Sequence, residues 1–281
     1  LTRFMSSSSS IDKTKMVIIG APVDYTCSRS PGTRGGPDAI REESWNIESY
    51  SPSLEMDLED RSFYDLGNIS FPIGDVSRSL ENIEQVSRML FSKGKKVLLL
   101  GGEHLVSYPV IKAASSFYKN LCVIHFDAHA DLRKFYHGGS LSHASVMRLV
   151  AENCLQSGKD LHQFGIRSGT REEFEWGYHN TCLSSRLPDR EQVEDLFQEI
   201  KGRPVYISID IDVFDPSVAP GTGTPEPGGV HSSDFLNVFY EMNRFNVIGF
   251  DIVEVSPLID HNGITSLLGA KIAREGILLW S

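Results

Sequence analysis

Short apolar runs recur along this chain with helical patterns between them, and that alternation restricts the fold to a parallel sheet covered by helices. The runs fall at 16–22, 63–69, 96–102, 121–127, 160–166, 204–210 and 246–252. Several, such as KVLLLGG and LCVIHFD, are rich in Val, Ile and Leu without polar alternation, as strands buried on both faces should be. In SLENIEQVSRMLF, Leu80, Ile83, Val86 and Leu90 recur at helical spacing, which predicts a helix over 80–92. Further helices are expected over 190–201, 233–243 and 266–280. Two segments dense in Pro and Gly, 28–37 and 214–229, read as ordered surface loops. The expected fold class is α/β with a mainly parallel central sheet. No low-complexity linker interrupts the pattern, so residues 15–281 are expected to form one domain, and the serine-rich segment 1–14 a disordered tail.

Composition narrows the function classes. With 40% hydrophobic and 23% charged residues the chain has a globular profile, and no apolar run approaches the roughly 18 residues needed to span a bilayer. The net charge of −10 is not interrupted by any Lys/Arg cluster, so nucleic acid is not an expected partner and cationic small molecules suit the sign better. Cys27, Cys122, Cys154 and Cys182 form no CxxC pair, and the first residues lack the apolar core of a secretory signal. A reducing cytoplasm is the expected location.

The strand ends carry the chemistry. VLLLGGEH places His104 just past a strand; CVIHFDAHAD places Asp127, His129 and Asp131; VYISIDID places Asp210 and Asp212; VIGFDIVEV places Glu254. Any one of these groups alone is ordinarily a cap, a turn residue or a satisfied core group. Together they sit where ligands bind in open α/β sheets, at the carboxyl ends of parallel strands. Carboxylates against apolar strand ends need a cation, a proton or a partner. No Lys or Arg lies within HFDAHAD or SIDID, and the four aspartates carry a combined −4 that two divalent ions would cancel. A two-metal centre is therefore favoured. Oxygen and imidazole donors without a thiolate point toward Mn(II), with Fe, Co, Ni or catalytic Zn as other candidates.

GAPVDYTCSRSPGTRGGPDAIRE, GGEH, HFDAHADLR, SHASVMR, SIDIDVFDPSVAPGTGTPEPGG and DIVEVSP, in that order from Gly20 to Pro257, resemble the ureohydrolase family of arginases and agmatinases. The resemblance implies a three-layer α/β/α fold and a binuclear manganese centre. Matched motif by motif, it implies His104 and Asp131 as terminal ligands of one ion, His129 and Asp212 of the other, and Asp127 and Asp210 as bridges. It also implies His143 as the catalytic histidine and Glu254 as the carboxylate that holds a substrate guanidinium, with homo-oligomers, trimers or hexamers, as the assembly. Glu103 in GGEH and Ala144 after His143 depart from the commonest pattern and spare every expected ligand.

Within the family, SHASVMR and APGTGTPEPGG resemble agmatinases, which implies hydrolysis of agmatine to putrescine and urea. Arginases resemble one another in an acidic residue soon after the arginine of the FGIR strand, where Ser168 and Gly169 stand here, with Glu172 and Glu173 further on. Hydrolysis of another guanidino compound, guanidinobutyrate or arginine, is the alternative. A noncatalytic metal-binding subunit is the reading from a different class, and the presence of His143 and Glu254 beside a complete ligand set argues against it. A two-metal phosphoesterase would need cationic groups for phosphate, which the acidic site does not offer.

Overall fold

The computed structural model describes residues 2–8 and 10–281. The chain opens with β1 (Met16–Ala21), α1 (Gly36–Ser44), a two-strand ribbon of β2 (Tyr50–Ser51) and β3 (Met56–Asp57), β4 (Phe63–Asn68) and α2 (Val76–Ser92). It continues through β5 (Lys96–Gly101), α3 (Ser107–Phe117), β6 (Cys122–Phe126), α4 (Val146–Asn153), β7 (Leu161–Phe164), α5 (Arg171–Asn180) and β8 (Cys182–Leu183). The last elements are α6 (Arg190–Glu199), β9 (Pro204–Asp210), α7 (Ser232–Glu241), β10 (Asn246–Val253) and α8 (Ile264–Trp280). Eight strands form one sheet in the order β4-β1-β5-β10-β9-β6-β7-β8, parallel throughout.

Side chains alternate across this sheet and feed two cores. Ile18, Leu98, Leu100, Ile124, Ile207, Ile209, Phe250 and Ile252 pack with Ile40, Phe235, Phe239, Ile272 and Trp280 of α1, α7 and α8. Val17, Ile19, Val97, Leu99, Val123, Tyr206 and Val253 pack with Ile83, Val110 and Val150 of α2, α3 and α4. Burial on both faces is why the strands read as unbroken apolar runs. The three-layer α/β/α arrangement is thus as expected, and all seven anticipated strands are present.

The helices were only half legible. The four expected ones are α2, α6, α7 and α8, with α2 starting earlier, at Val76, because Asp75 accepts from the Arg78 N–H and caps it. Four others, α1, α3, α4 and α5, carried no clear period. In particular α1 begins inside the Gly-Gly-Pro segment assigned to a loop, with Pro37 in its first turn, where a missing N–H is no loss.

The expected disordered tail is corrected by the structure. Phe4 is 1% exposed and stands edge-on to Phe63. The Phe4 N–H donates to Asp65 Oδ2 at 2.8 Å and that of Met5 to Ser44 Oγ at 3.0 Å. The serines suggested disorder, but burial of Phe4 and Met5 opposes the ordering entropy of the short segment. Leu1 and Ser9 lie outside the described residues.

The order of strands positions the site. From β5 the chain crosses to β6, three places away, leaving β10 and β9 to fill the gap. This is a topological switch, and a crevice opens there at the carboxyl ends of the strands. Gly102 lets the β1 and β5 connections close together at its edge: a Cβ there would lie 2.0 Å from the Val23 carbonyl oxygen. No helix among the described residues is long and apolar enough to cross a membrane.

Candidate active site

Four adjacent strands, β5, β10, β9 and β6, deliver His104, Glu254, Asp210 with Asp212, and His129 with Asp131 to a single cavity of about 260 Å³, and Asp127 lies behind its lining, 3.1 Å from His104 Nδ1. His104, Asp127, Asp131, Asp210, Asp212 and Glu254 are all buried. Asp131 and Glu254 hold positive φ of 53° and 64°, a strained region for non-glycine residues that recurs at functional sites. Every residue expected at the site lines this crevice, His143 included, except Asp127, which touches the lining residues His104 and His129 from behind.

The donors converge as metal ligands do. His104 Nε2 lies 2.9 Å from Ser208 Oγ, and that hydroxyl donates to Asp251 Oδ1 at 2.8 Å. With the serine proton committed, Nε2 must carry the imidazole proton, which leaves Nδ1 a lone pair. That buried Nδ1 has no hydrogen-bond partner among the described residues, and Asp127, Asp131 and Asp210 each place an oxygen 3.1–3.2 Å from it. One lone pair and three carboxylate oxygens aimed at one another are compatible only with a cation among them or with captured protons. On the other side, His129 Nδ1 lies 2.9 Å from Asp212 Oδ2 and 3.6 Å from Asp127 Oδ1. Asp127 thus belongs to both clusters. The residues fit a pair of divalent ions.

Electrostatics give the same answer. Burial, followed by the Asp127 charge, pushes Asp131 up to about 7. Burial also drives Asp210 well above the carboxylate range. Burial would lower His129, but the Asp212 and Asp127 carboxylates outweigh it and push the imidazole up to about 12. Without cations the cluster holds extra protons, which metal binding would displace.

His125, the first histidine of HFDAHAD, was not anticipated at the site. Gln163 Nε2 donates to His125 Nδ1 at 3.1 Å and to the Ala130 carbonyl at 2.9 Å. The proton of His125 therefore sits on Nε2, which donates to Asp127 Oδ2 at 2.8 Å. His125 lacks a free lone pair for a metal and instead orients Asp127. Its only sequence signal was a polar residue within an otherwise apolar strand.

The walls differ from the floor. The Glu254 Oε1 accepts the His104 N–H at 2.8 Å, and burial raises this carboxyl to about 8. His143 also lines the cavity, edge-on to Tyr136 at 5.4 Å, and burial lowers its imidazole to about 4. Arg133 also lines the cavity, paired with Glu173 at 3.2 Å and lying over the Tyr136 ring. Glu173 is already engaged by the Leu132 N–H and by the Thr170 N–H and hydroxyl.

The family model described as the Arginase family matches residues 14–279. The chain belongs to the arginase family. It is 45% identical to the agmatinase of Bacillus subtilis (strain 168), over 98% of this chain and 95% of that protein. The crystal structure of agmatine ureohydrolase of Thermoplasma volcanium matches with a TM-score of 0.88 and 34% identity, covering 99% of this chain and 94% of that one. Proclavaminate amidino hydrolase from Streptomyces clavuligerus matches with a TM-score of 0.91 and 30% identity, covering 100% and 97%. This arginase-family member is an agmatinase-like hydrolase acting on the C–N bond of linear amidines.

Proposed function

We propose that the chain is a binuclear-manganese agmatinase, hydrolysing agmatine to putrescine and urea. In this reading one catalytic domain over residues 15–281 works in the cytoplasm as a homo-oligomer, a trimer or hexamer. The observation that carries it is Glu254 at the rim of the carboxylate cluster: one oxygen is held by His104, and the other has no hydrogen bond among the described residues and lines the cavity.

His104 and Asp131 would hold one ion, His129 and Asp212 the other, with Asp127 and Asp210 between them. When bound, such ions supply a water acidic enough to act as a nucleophile at neutral pH. Glu254, ionised when the cationic substrate enters and offsets the burial that otherwise raises it, grips the substrate guanidinium by charge-assisted hydrogen bonds and aims its carbon at the floor of the site. As the C–N bond to the alkyl chain breaks, the leaving amine nitrogen needs a proton. His143, a neutral imidazole at pH 7, would accept at Nε2 a proton given up by the attacking water and deliver it to that nitrogen.

Selectivity at the far end supports agmatine over arginine. No free carboxylate after Arg167 lines the cavity: Ser168 and Gly169 stand there, Glu173 is occupied by its own cap and by Arg133, and Glu172 is exposed and turned to a neighbouring depression. An α-amino group would have no acidic partner there. Arg133 itself favours a second reading, since a guanidinium on the wall suits a carboxylate tail such as that of guanidinobutyrate.

Urea release from agmatine, arginine and guanidinobutyrate at identical manganese loading tests these readings. The expected kcat/KM for agmatine exceeds that for arginine by about 10²-fold or more, the consequence of a buried group left without its partner. A ratio at or below unity overturns the agmatine assignment. Urea from none of the three would leave a noncatalytic metal-binding subunit.

A further inference from the structure

Thr26 lies in the connection after β1, and its hydroxyl is spoken for. It donates to Glu103 Oε2 at 2.8 Å, and the Thr26 N–H donates to the same oxygen at 2.7 Å. Glu103 is fully buried, one residue before His104, and its other oxygen has no hydrogen-bond partner among the described residues.

A hydroxyl has one proton and two lone pairs. Once the proton goes to a carboxylate, Thr26 Oγ1 can only accept from its other neighbours, and both belong to His143. The His143 N–H donates to Oγ1 at 3.1 Å, and the ring Nδ1 lies 3.4 Å from it. An Nδ1–H suits that contact, whereas an Nδ1 lone pair would face the oxygen's lone pairs. The imidazole lone pair is then on Nε2, 3.4 Å from Ser28 Oγ and toward the cavity.

We infer that Thr26, with its hydroxyl locked by Glu103, is a positioning residue that sets the tautomer and orientation of His143. The inference rests on the reading of His143 as the proton carrier. With Nδ1–H fixed, Nε2 is the single ring atom able to take a proton and give it to the leaving amine. In the opposite tautomer an N–H would point into the cavity, and the imidazole would have no vacancy for a proton there. Thr26 contacts no reacting atom and acts only through the ring.

The test is a double-mutant cycle on the manganese-loaded enzyme. Thr26→Val should lower kcat about tenfold, a fraction of what a general acid–base group contributes, with KM and metal content within about twofold. Thr26→Ser should restore the rate. In a His143→Ala background Thr26→Val should change kcat by less than about twofold, because no imidazole is left to orient. An equal drop in both backgrounds overturns the inference and makes Thr26 a fold residue. Unchanged turnover in His143→Ala alone removes the reading of His143 and the inference with it, and is recognised in that single variant. If Thr26→Val does not fold, Thr26→Ala enters the same cycle. Imidazole ¹⁵N shifts of His143 in chelator-treated protein give an activity-free readout: Nδ1–H is expected, and Nε2–H overturns the inference.

Discussion

The His104 N–H donates to Glu254 Oε1 at 2.8 Å across 150 residues of sequence, so the group proposed to hold a metal and the group proposed to hold the guanidinium are set by one hydrogen bond. That bond predicts the outcome of Glu254→Gln. The amide oxygen must take over the role of acceptor for His104, which turns the amide N–H groups toward the guanidinium, donor against donor. Removing one partner of a buried ion pair costs about 3–5 kcal/mol, so kcat/KM should fall on the order of 10²–10³-fold. Agmatine and arginine should suffer alike, because both present the same guanidinium. A loss confined to one substrate would place Glu254 at the other end of the pocket.

Metal analysis tests the cluster itself. Chelation should abolish urea release, manganese should restore it, and the active protein should hold two ions per chain. Asp127→Ala or Asp210→Ala should be harsher than Asp131→Ala, since a lost bridge affects both ions. His125→Phe should weaken manganese binding by about 10–100-fold through misorientation of Asp127, measured by titration calorimetry. Full activity with one ion or none per chain refutes the two-metal reading.

His143→Ala should lower turnover by about 10²-fold or more while leaving two ions bound. Added imidazole is expected to recover part of the rate. If the ions are lost instead, His143 is a ligand or a structural residue.

The metal-free protein should become less stable as pH rises from 6.5 to 8. Burial raises Glu254 to about 8 and Asp131 to about 7, so the folded chain holds protons in this window that the unfolded chain has already released. The unfolded state then binds fewer protons, and stability falls with increasing pH. His143, lowered to about 4, acts in the opposite sense but only below its ordinary value of 6.5. Thermal unfolding at the two pH values is the measurement. Manganese should flatten or reverse the slope, and a Tm that climbs with pH in chelated protein would contradict the assignment of buried, protonated carboxyls.

What could be read from residues alone follows from range. Strands were visible because burial on both faces leaves an unbroken local run, and the candidate metal-binding groups were visible because aspartates and histidines end those runs. α3 and α5 were not, since SYPVIKAASSF mixes small polar residues into its buried face and REEFEWGYHN carries Gly177, where a Cβ would meet Leu183 at 2.8 Å. The supports of the site were hidden for a related reason. Ser208 faces Asp251 only through the register of β9 on β10, and Thr26 meets Glu103 across 77 residues. No local pattern encodes such pairs. Phe4 and Met5 were misjudged because the neighbouring serines dominate the composition, while two apolar side chains decide where the segment goes.

The last long strand to be synthesised, β10, is inserted between β5 and β9 in the middle of the sheet. A nascent chain that has made everything up to β9 therefore has two half-sheets with no strand joining them, and its crevice lacks Glu254. The aspartates of β6 and β9 meet without β10, but His104 after β5 joins them only when β10 closes the gap, a non-local closure that makes folding slow. The proposed guanidinium site thus exists only once β10 is in place: a protein truncated before residue 246 would expose the unpaired edges of β5 and β9, the kind of surface that quality control and aggregation both recognise.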